Sequence, residues 1–177
     1  YGAGIVSEKQ MTTEQILVEN NHDRVPTNAA LIAFGEQPEK FIAEAYLICT
    51  QFKGTQGRDI IQTREISGPL PSILETSLRL ISSWMEQNYT LEGSRLKGRL
   101  PIPAKALREA ISNALVHRKY TIPGAIKIAQ YSDRIEIFSP GGFPGLITIN
   151  NLGDGSTYLR NPLLAKFARK MRIVEKL

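Results

Sequence analysis

Residues 108–118 read Arg-Glu-Ala-Ile-Ser-Asn-Ala-Leu-Val-His-Arg, and three polar side chains recur there at intervals of four: Glu109, Asn113 and His117. At about 100° per residue on a helix they form one drifting stripe, with Leu107, Ile111 and Leu115 opposite. An apolar stripe of that kind packs on a sheet and turns the polar stripe toward a cleft. The chemistry suits a nucleotide. The amide oxygen of Asn113 can ligate Mg2+, a hard cation that takes oxygen ligands. The Glu109 carboxylate can act as general base on an attacking water. His117 and Arg118 could contact phosphate. Glu and Asn four apart also occur on ordinary solvated helix faces, so the spacing alone leaves both readings open.

Two glycine-bearing loops follow, 139–145 and 153–161. Glycine lets backbone N–H groups approach a phosphate closely. Ser139, Gly141 and Gly142 in the first loop, and Ser156, Thr157 and Arg160 in the second, are the candidate contacts. Ordinary turns use the same residue types.

The elements that must position these residues follow from periodicity and punctuation. A short helix is expected from Thr12 or Thr13 to about Asn20, then a turn at Asn21-His22-Asp23. A second helix opens at Pro26-Thr27 and runs to Phe34, with Gly35 ending it in the left-handed position. Residues 38–43 could add a helical turn. Residues 45–53 and 60–66 read as a strand hairpin. Residues 69–89 form the clearest long helix, with Ile73, Leu74, Leu78, Ile81 and Trp84 on a core face. Residues 90–100 hold an extended segment, and Pro103 opens the helix that carries the polar stripe, expected to about Lys119. Residues 125–131 and 134–139 read as two short strands joined by Ser132-Asp133. A helical turn is expected at 148–152. Pro162 starts the last helix, with Leu163, Leu164, Phe167, Ala168 and Met171 on its apolar side. Helices and hairpins segregate, so we expect an α+β fold, a two-layer sandwich with helices on one face of a mixed or antiparallel sheet.

Composition bounds the rest. The chain has 177 residues, 42% of them hydrophobic and 22% charged, as in globular domains. No run approaches the ~18–20 apolar residues of a membrane span, so no membrane partner is expected. No basic segment followed by an apolar core opens the chain, and a cytoplasmic location is expected. The single cysteine, Cys49, lies in an apolar stretch and reads as a buried, inert thiol. One cysteine and two histidines make a zinc site a poor reading. The net charge of +5 sits in residues 160–177, where Arg160, Lys166, Arg169, Lys170, Arg172 and Lys176 face one acid, Glu175. Such a helix could contact nucleic-acid phosphates, or simply present a solvated face whose cations favour a helix C-terminus.

The ordered segments "PTNAALIAFG", "FKGT", "ALREAISNALVHRKY", "DRIEIFSPGGFPG" and "RNPLLAKFARKMRIVEKL" resemble the ATP-dependent DNA helicase-related family of transcriptional regulators, the divergent-AAA, Schlafen-like proteins. The resemblance spans about residues 26–177. It implies a histidine-kinase-type ATPase-like domain, similar to those of gyrase, heat-shock chaperones, histidine kinases and MutL. Glu109 and Asn113 match the first motif of that superfamily. The second motif is matched in its glycines, Gly141 and Gly142, while Ser139 stands near where an aspartate normally reads adenine. The resemblance thus implies a regulatory module that binds ATP and Mg2+, with weak or partner-dependent hydrolysis. Glu109 would be catalytic. Asn113 would be the metal ligand, and His117, Ser139, Gly141, Gly142, Ser156, Thr157 and Arg160 would surround the nucleotide. DNA is an expected partner of the full-length protein, and homo-oligomers fit the family. Two alternatives stay open: a degenerate scaffold or dimerisation domain, and a nucleic-acid-binding module built on the basic last helix. No GxxxxGK[ST] loop occurs, so a P-loop motor is not supported. We expect residues 1–25 to be a lead-in from a preceding domain, and 26–177 to be an ATPase-like α/β domain truncated at its C-terminal end.

Overall fold

The computed structural model describes residues 7–87, 90–92, 95–97, 102–145, 147–151 and 158–174. In chain order the elements are α1 (Glu8–Thr13), β1 (Leu17–Asn20), β2 (Asp23–Pro26), α2 (Asn28–Phe34), β3 (Tyr46–Lys53), β4 (Asp59–Ser67), α3 (Leu70–Gln87), β5 (Thr90–Glu92), β6 (Arg95–Lys97), α4 (Ala104–His117), β7 (Ile126–Gln130), β8 (Ile135–Phe138) and α5 (Pro162–Lys170). Single 3-10 turns form at Pro38–Lys40 and Ile149–Asn151.

The main sheet has the order β4-β3-β7-β8, with β3 and β7 parallel and the two outer pairs antiparallel. Alternation along the strands sends Leu47, Cys49, Ile66, Ile126 and Ile128 to one face, where all are buried. The opposite face carries Thr63, Glu65, Lys127, Glu136 and Phe138, all exposed. Helix α3 covers the inner face with Leu70, Ile73, Leu74, Ile81 and Trp84, and α4 adds Leu107, Ile111 and Leu115. The fold is therefore α+β, with helices on one face of a mixed sheet. Burial raises the Cys49 thiol to about 12, so it stays protonated and inert at neutral pH. No helix among the described residues is long and apolar enough to cross a membrane.

The N-terminal segment departs from expectation. The helix expected to reach Asn20 ends at Thr13, and residues 17–26 form a hairpin instead. Ser7 and Gln10 set the start of α1 with a reciprocal capping box. Gln15 then adopts φ 61° and turns the chain out. Asn21 and His22 both take positive φ, 49° and 72°, as a two-residue hairpin turn of type I′ requires. Gly35 is a second correction. It ends α2 in an extended conformation, φ −64° and ψ 136°, rather than a left-handed one. A glycine still suits the site, because a Cβ there would lie 2.5 Å from the Leu31 carbonyl oxygen. The extra turn after Pro38 covers only Pro38–Lys40.

The C-terminal end of α4 is held from three sides. Asn161, just before α5, donates its side-chain amide to the carbonyls of Val116 and Arg118, both at 2.8 Å. These are among the last carbonyls of α4, which have no partner within the helix. Arg118, fully buried, donates to the carbonyls of Lys119 (3.0 Å), Ile122 (2.9 Å) and Gly124. Its guanidinium lies 5.0 Å from the centre of the Tyr120 ring, and the Tyr120 hydroxyl donates to Leu115 at 2.9 Å. Arg118 is therefore corrected from a phosphate contact to the internal tie of the α4–β7 connection. Charge made it look exposed, but loop carbonyls take its two terminal nitrogens, while Nε is buried without a partner among the described residues and burial lowers its pKa. Truncating Asn161 to Ala orphans two carbonyls in a partly buried setting. We expect a loss of about 1–3 kcal/mol in urea unfolding with unchanged helix content by circular dichroism. An unmoved midpoint would contradict the clamp.

Candidate nucleotide site

The polar stripe lies where its period places it. Glu109 and Asn113 are exposed and His117 is half-buried, while Leu107, Ile111 and Leu115 are buried on the opposite side of α4. The stripe borders two clefts. Toward the helix N-terminus, Lys105, Arg108, Glu109, Ser112 and Asn113 form one wall of a cleft of about 370 Å³. The segment after α5 supplies the other wall, with Arg172, Ile173 and Val174. Toward the helix C-terminus, Asn113, Ala114 and His117 form the floor of a second cleft of about 330 Å³. Ser139, Gly141, Gly142, Phe143, Pro144 and Arg160 complete it. Asn113 borders both.

Each wall is set by identifiable bonds. The Ser139 hydroxyl donates to the Ala114 carbonyl at 3.0 Å and so ties the end of β8 to α4. The Lys119 N–H donates to the Pro140 carbonyl at 3.0 Å, which fixes the start of the glycine loop. Gly141 sits at φ 114°, and a Cβ there would meet the Arg160 guanidinium and lie 2.9 Å from the Lys119 Cβ. Arg160 donates to the Gly142 carbonyl, so the cation is anchored against the loop it faces. Arg108 pairs with Glu75 at 2.8 Å. Ser112 donates to the Arg108 carbonyl.

His117 has a pKa below its ordinary 6.5, first because burial penalises the imidazolium and second because the Arg160 charge repels it. It is therefore mostly neutral at pH 7, and an anion in the cleft would reverse the second effect.

Glu109 and Asn113 thus share the first cleft. Asn113, His117, Ser139, Gly141, Gly142 and Arg160 meet in the second. Ser156 and Thr157 lie outside the described residues. Lys105, Arg108 and Phe143 were missed as lining residues. Extending the helical stripe one turn back from Glu109 would have found Lys105. Among the described residues no group of three or more His, Cys, Asp or Glu side chains could hold a metal. A divalent cation here would take ligands from Asn113 and from the phosphates it arrives with, a common arrangement for Mg2+.

Residues 124–177 match the family described as "Putative ATP-dependent DNA helicase recG C-terminal". The match begins after α4 and takes in β7, β8, the glycine loop and α5, so Glu109, Asn113 and His117 lie outside it. Among solved structures, the DIP2311 protein from Corynebacterium diphtheriae is similar, with a TM-score of 0.61 and 25% identity over 73% of this chain. The present chain spans 27% of that protein's length. No curated protein matches.

Two outcomes follow from the geometry. NMR titration of His117 is expected to give a midpoint below 6.5 that rises in Arg160→Ala; an unchanged midpoint would remove Arg160 from its surroundings. Because the folded value is depressed, the unfolded chain takes up the proton first on acidification. The stability contributed by neutral His117 is thus full above about 6.5 and is lost as pH falls through the folded value. Gly141→Ala is expected to cost about 1–3 kcal/mol in chemical unfolding, from its positive φ and the displaced Arg160. Wild-type stability in that variant would contradict the close approach.

Proposed function

We propose that the chain is an ATP-binding module that takes Mg2+ and nucleotide along the exposed stripe of α4, with weak or partner-dependent hydrolysis. One observation carries this reading: Asn113, an exposed amide, borders both clefts, so a single elongated ligand can lie across them with its cation at the joint. The Asn113 amide oxygen would ligate the Mg2+ that arrives with the phosphates. His117, Arg160 and the N–H groups of Gly141 and Gly142 would line the phosphate path, and Ser156 and Thr157 would add hydroxyl donors. Bound Mg2+ would supply charge neutralisation on the phosphate oxygens. If hydrolysis occurs, Glu109 would take the proton of the attacking water as the terminal phosphorus–oxygen bond breaks and ADP leaves.

In the full-length protein this module would serve a cytoplasmic transcriptional regulator that contacts DNA and assembles with its own kind; the helicase-related likeness supports the nucleotide part of that reading. Residues 1–25 would lead in from a preceding domain, with the module in 26–177. The second reading is a degenerate scaffold. Ser139 favours it: no carboxylate stands at that position, and its hydroxyl is committed to Ala114. The nucleic-acid reading of the last helix loses ground, because Lys166 and Lys170 both pair with Glu14, at 3.1 and 2.5 Å.

Two variants separate the roles. Asn113→Ala is expected to abolish Mg2+-dependent ATP binding in calorimetry with little loss of stability, since the side chain is exposed. Glu109→Ala is expected to keep binding and lose any turnover. Undiminished Mg2+-dependent binding by the first variant would refute the metal assignment, and undiminished turnover by the second would take Glu109 out of the mechanism.

A further inference from the structure

We infer that Arg172 reads the terminal phosphate of the nucleotide, and so sets the preference of this site for a triphosphate over a diphosphate. The inference rests on the nucleotide reading above. Helix α5 ends in a turn closed by two bonds, Arg172 N–H to the Arg169 carbonyl at 3.0 Å and Ile173 N–H to the Ala168 carbonyl at 2.9 Å. That ending places the residue after the cap in the left-handed region, where glycine is favoured. Here the residue is Arg172, at φ 55°. Gln15 closes α1 by the same pair of bonds, at φ 61°, so the turn by itself marks no site.

Position is what separates the two. Arg172 lines the first cleft, across from Glu109 and Asn113. Its guanidinium makes no hydrogen bond or ion pair among the described residues. Arg108, on the opposite wall, is already paired with Glu75 at 2.8 Å. Arg172 therefore presents a five-donor planar fork, the shape that meets phosphate oxygens two at a time. The backbone under it is fixed by the two turn bonds, so the side chain starts from a rigid corner. Direction follows from Glu109. The candidate base lines this cleft, and a base must stand beside the phosphate that is attacked. The phosphate reaching Arg172 is accordingly the terminal one, present in ATP and absent in ADP.

The strained backbone supplies a test that a merely structural arginine would fail. Arg172→Gly relieves the left-handed turn and removes the fork. Its Tm is expected to rise by about 2–4 °C. Its affinity for Mg·ATP is expected to fall about tenfold or more, and that for Mg·ADP by less than about threefold. Arg172→Asn, which tolerates the same backbone, should show the same affinity pattern and so assign the loss to the side chain. Calorimetry would use ATP, ADP and inorganic tripolyphosphate. Equal ATP affinity in wild type and Arg172→Gly overturns the inference and leaves the nucleotide site standing. A lowered Tm with ATP and ADP weakened alike makes Arg172 structural and also overturns it. If the wild type holds tripolyphosphate through Arg172 but no ATP, the nucleotide reading falls and the phosphate contact survives. Silence toward both ligands overturns both.

Discussion

The amide of Asn161 reaches across 43 and 45 residues of chain to donate to two carbonyls at the end of α4. Those groups have no helical partner, and leaving them bare in a partly buried setting would be costly. One side chain thereby joins the end of α4 to the start of α5. Arg118 completes the joint from inside by gathering the carbonyls of the α4–β7 connection. Neighbouring bonds hang on the same corner. Lys119 holds Pro140, Ser139 holds Ala114, and Arg160, adjacent to Asn161, holds Gly142. The distance between the polar stripe and the glycine loop, and so the width of the second cleft, is set by this cluster rather than by any ligand.

Electrostatics then divides the cations into structural and available ones. Arg118 is internal, Arg108 is paired with Glu75, and Lys166 and Lys170 hold Glu14 against α5. The last pairing keeps the Glu14 carboxyl below its usual range, through Lys170 first and Lys166 second. A basic segment that reads as a nucleic-acid helix is thus partly consumed in docking the N-terminal turn. The cations that line the clefts besides Arg108 are Arg160 beside a neutral His117, and Lys105 and Arg172 beside Glu109 and Asn113. Cations on both sides of one exposed amide suit a chain of phosphates with a cation at its middle better than a single compact anion.

Much of this was legible in the sequence. The α4 stripe was readable because helical period and strong amphipathicity agree over four turns. The hairpin of β3 and β4, the long α3 and the pair β7 and β8 were readable for the same reason, local pattern agreeing with global packing. The misreadings have physical causes. Asn21 and His22 form a two-residue turn without glycine, so β1 and β2 gave no conventional hairpin signal. Arg118 sits next to His117 in a stretch that looks polar, and only tertiary packing shows that its charge points inward. Arg172 was visible as one cation among six, while its left-handed backbone and its cleft depend on where α5 ends. The Asn161 bridge spans a sequence separation that no local pattern encodes.

The central claim is that one ligand spans both clefts over Asn113. It is tested most directly by titrating isotope-labelled protein with Mg·ATP and following the amide signals, including the Asn113 side-chain amide. Saturable shifts are expected, centred on Glu109, Asn113, His117, Gly141, Gly142 and Arg160, with the Asn113 side-chain signal lost from the map when EDTA replaces Mg2+. Shifts confined to the exposed face of the sheet, or no saturable shifts at all, would contradict it.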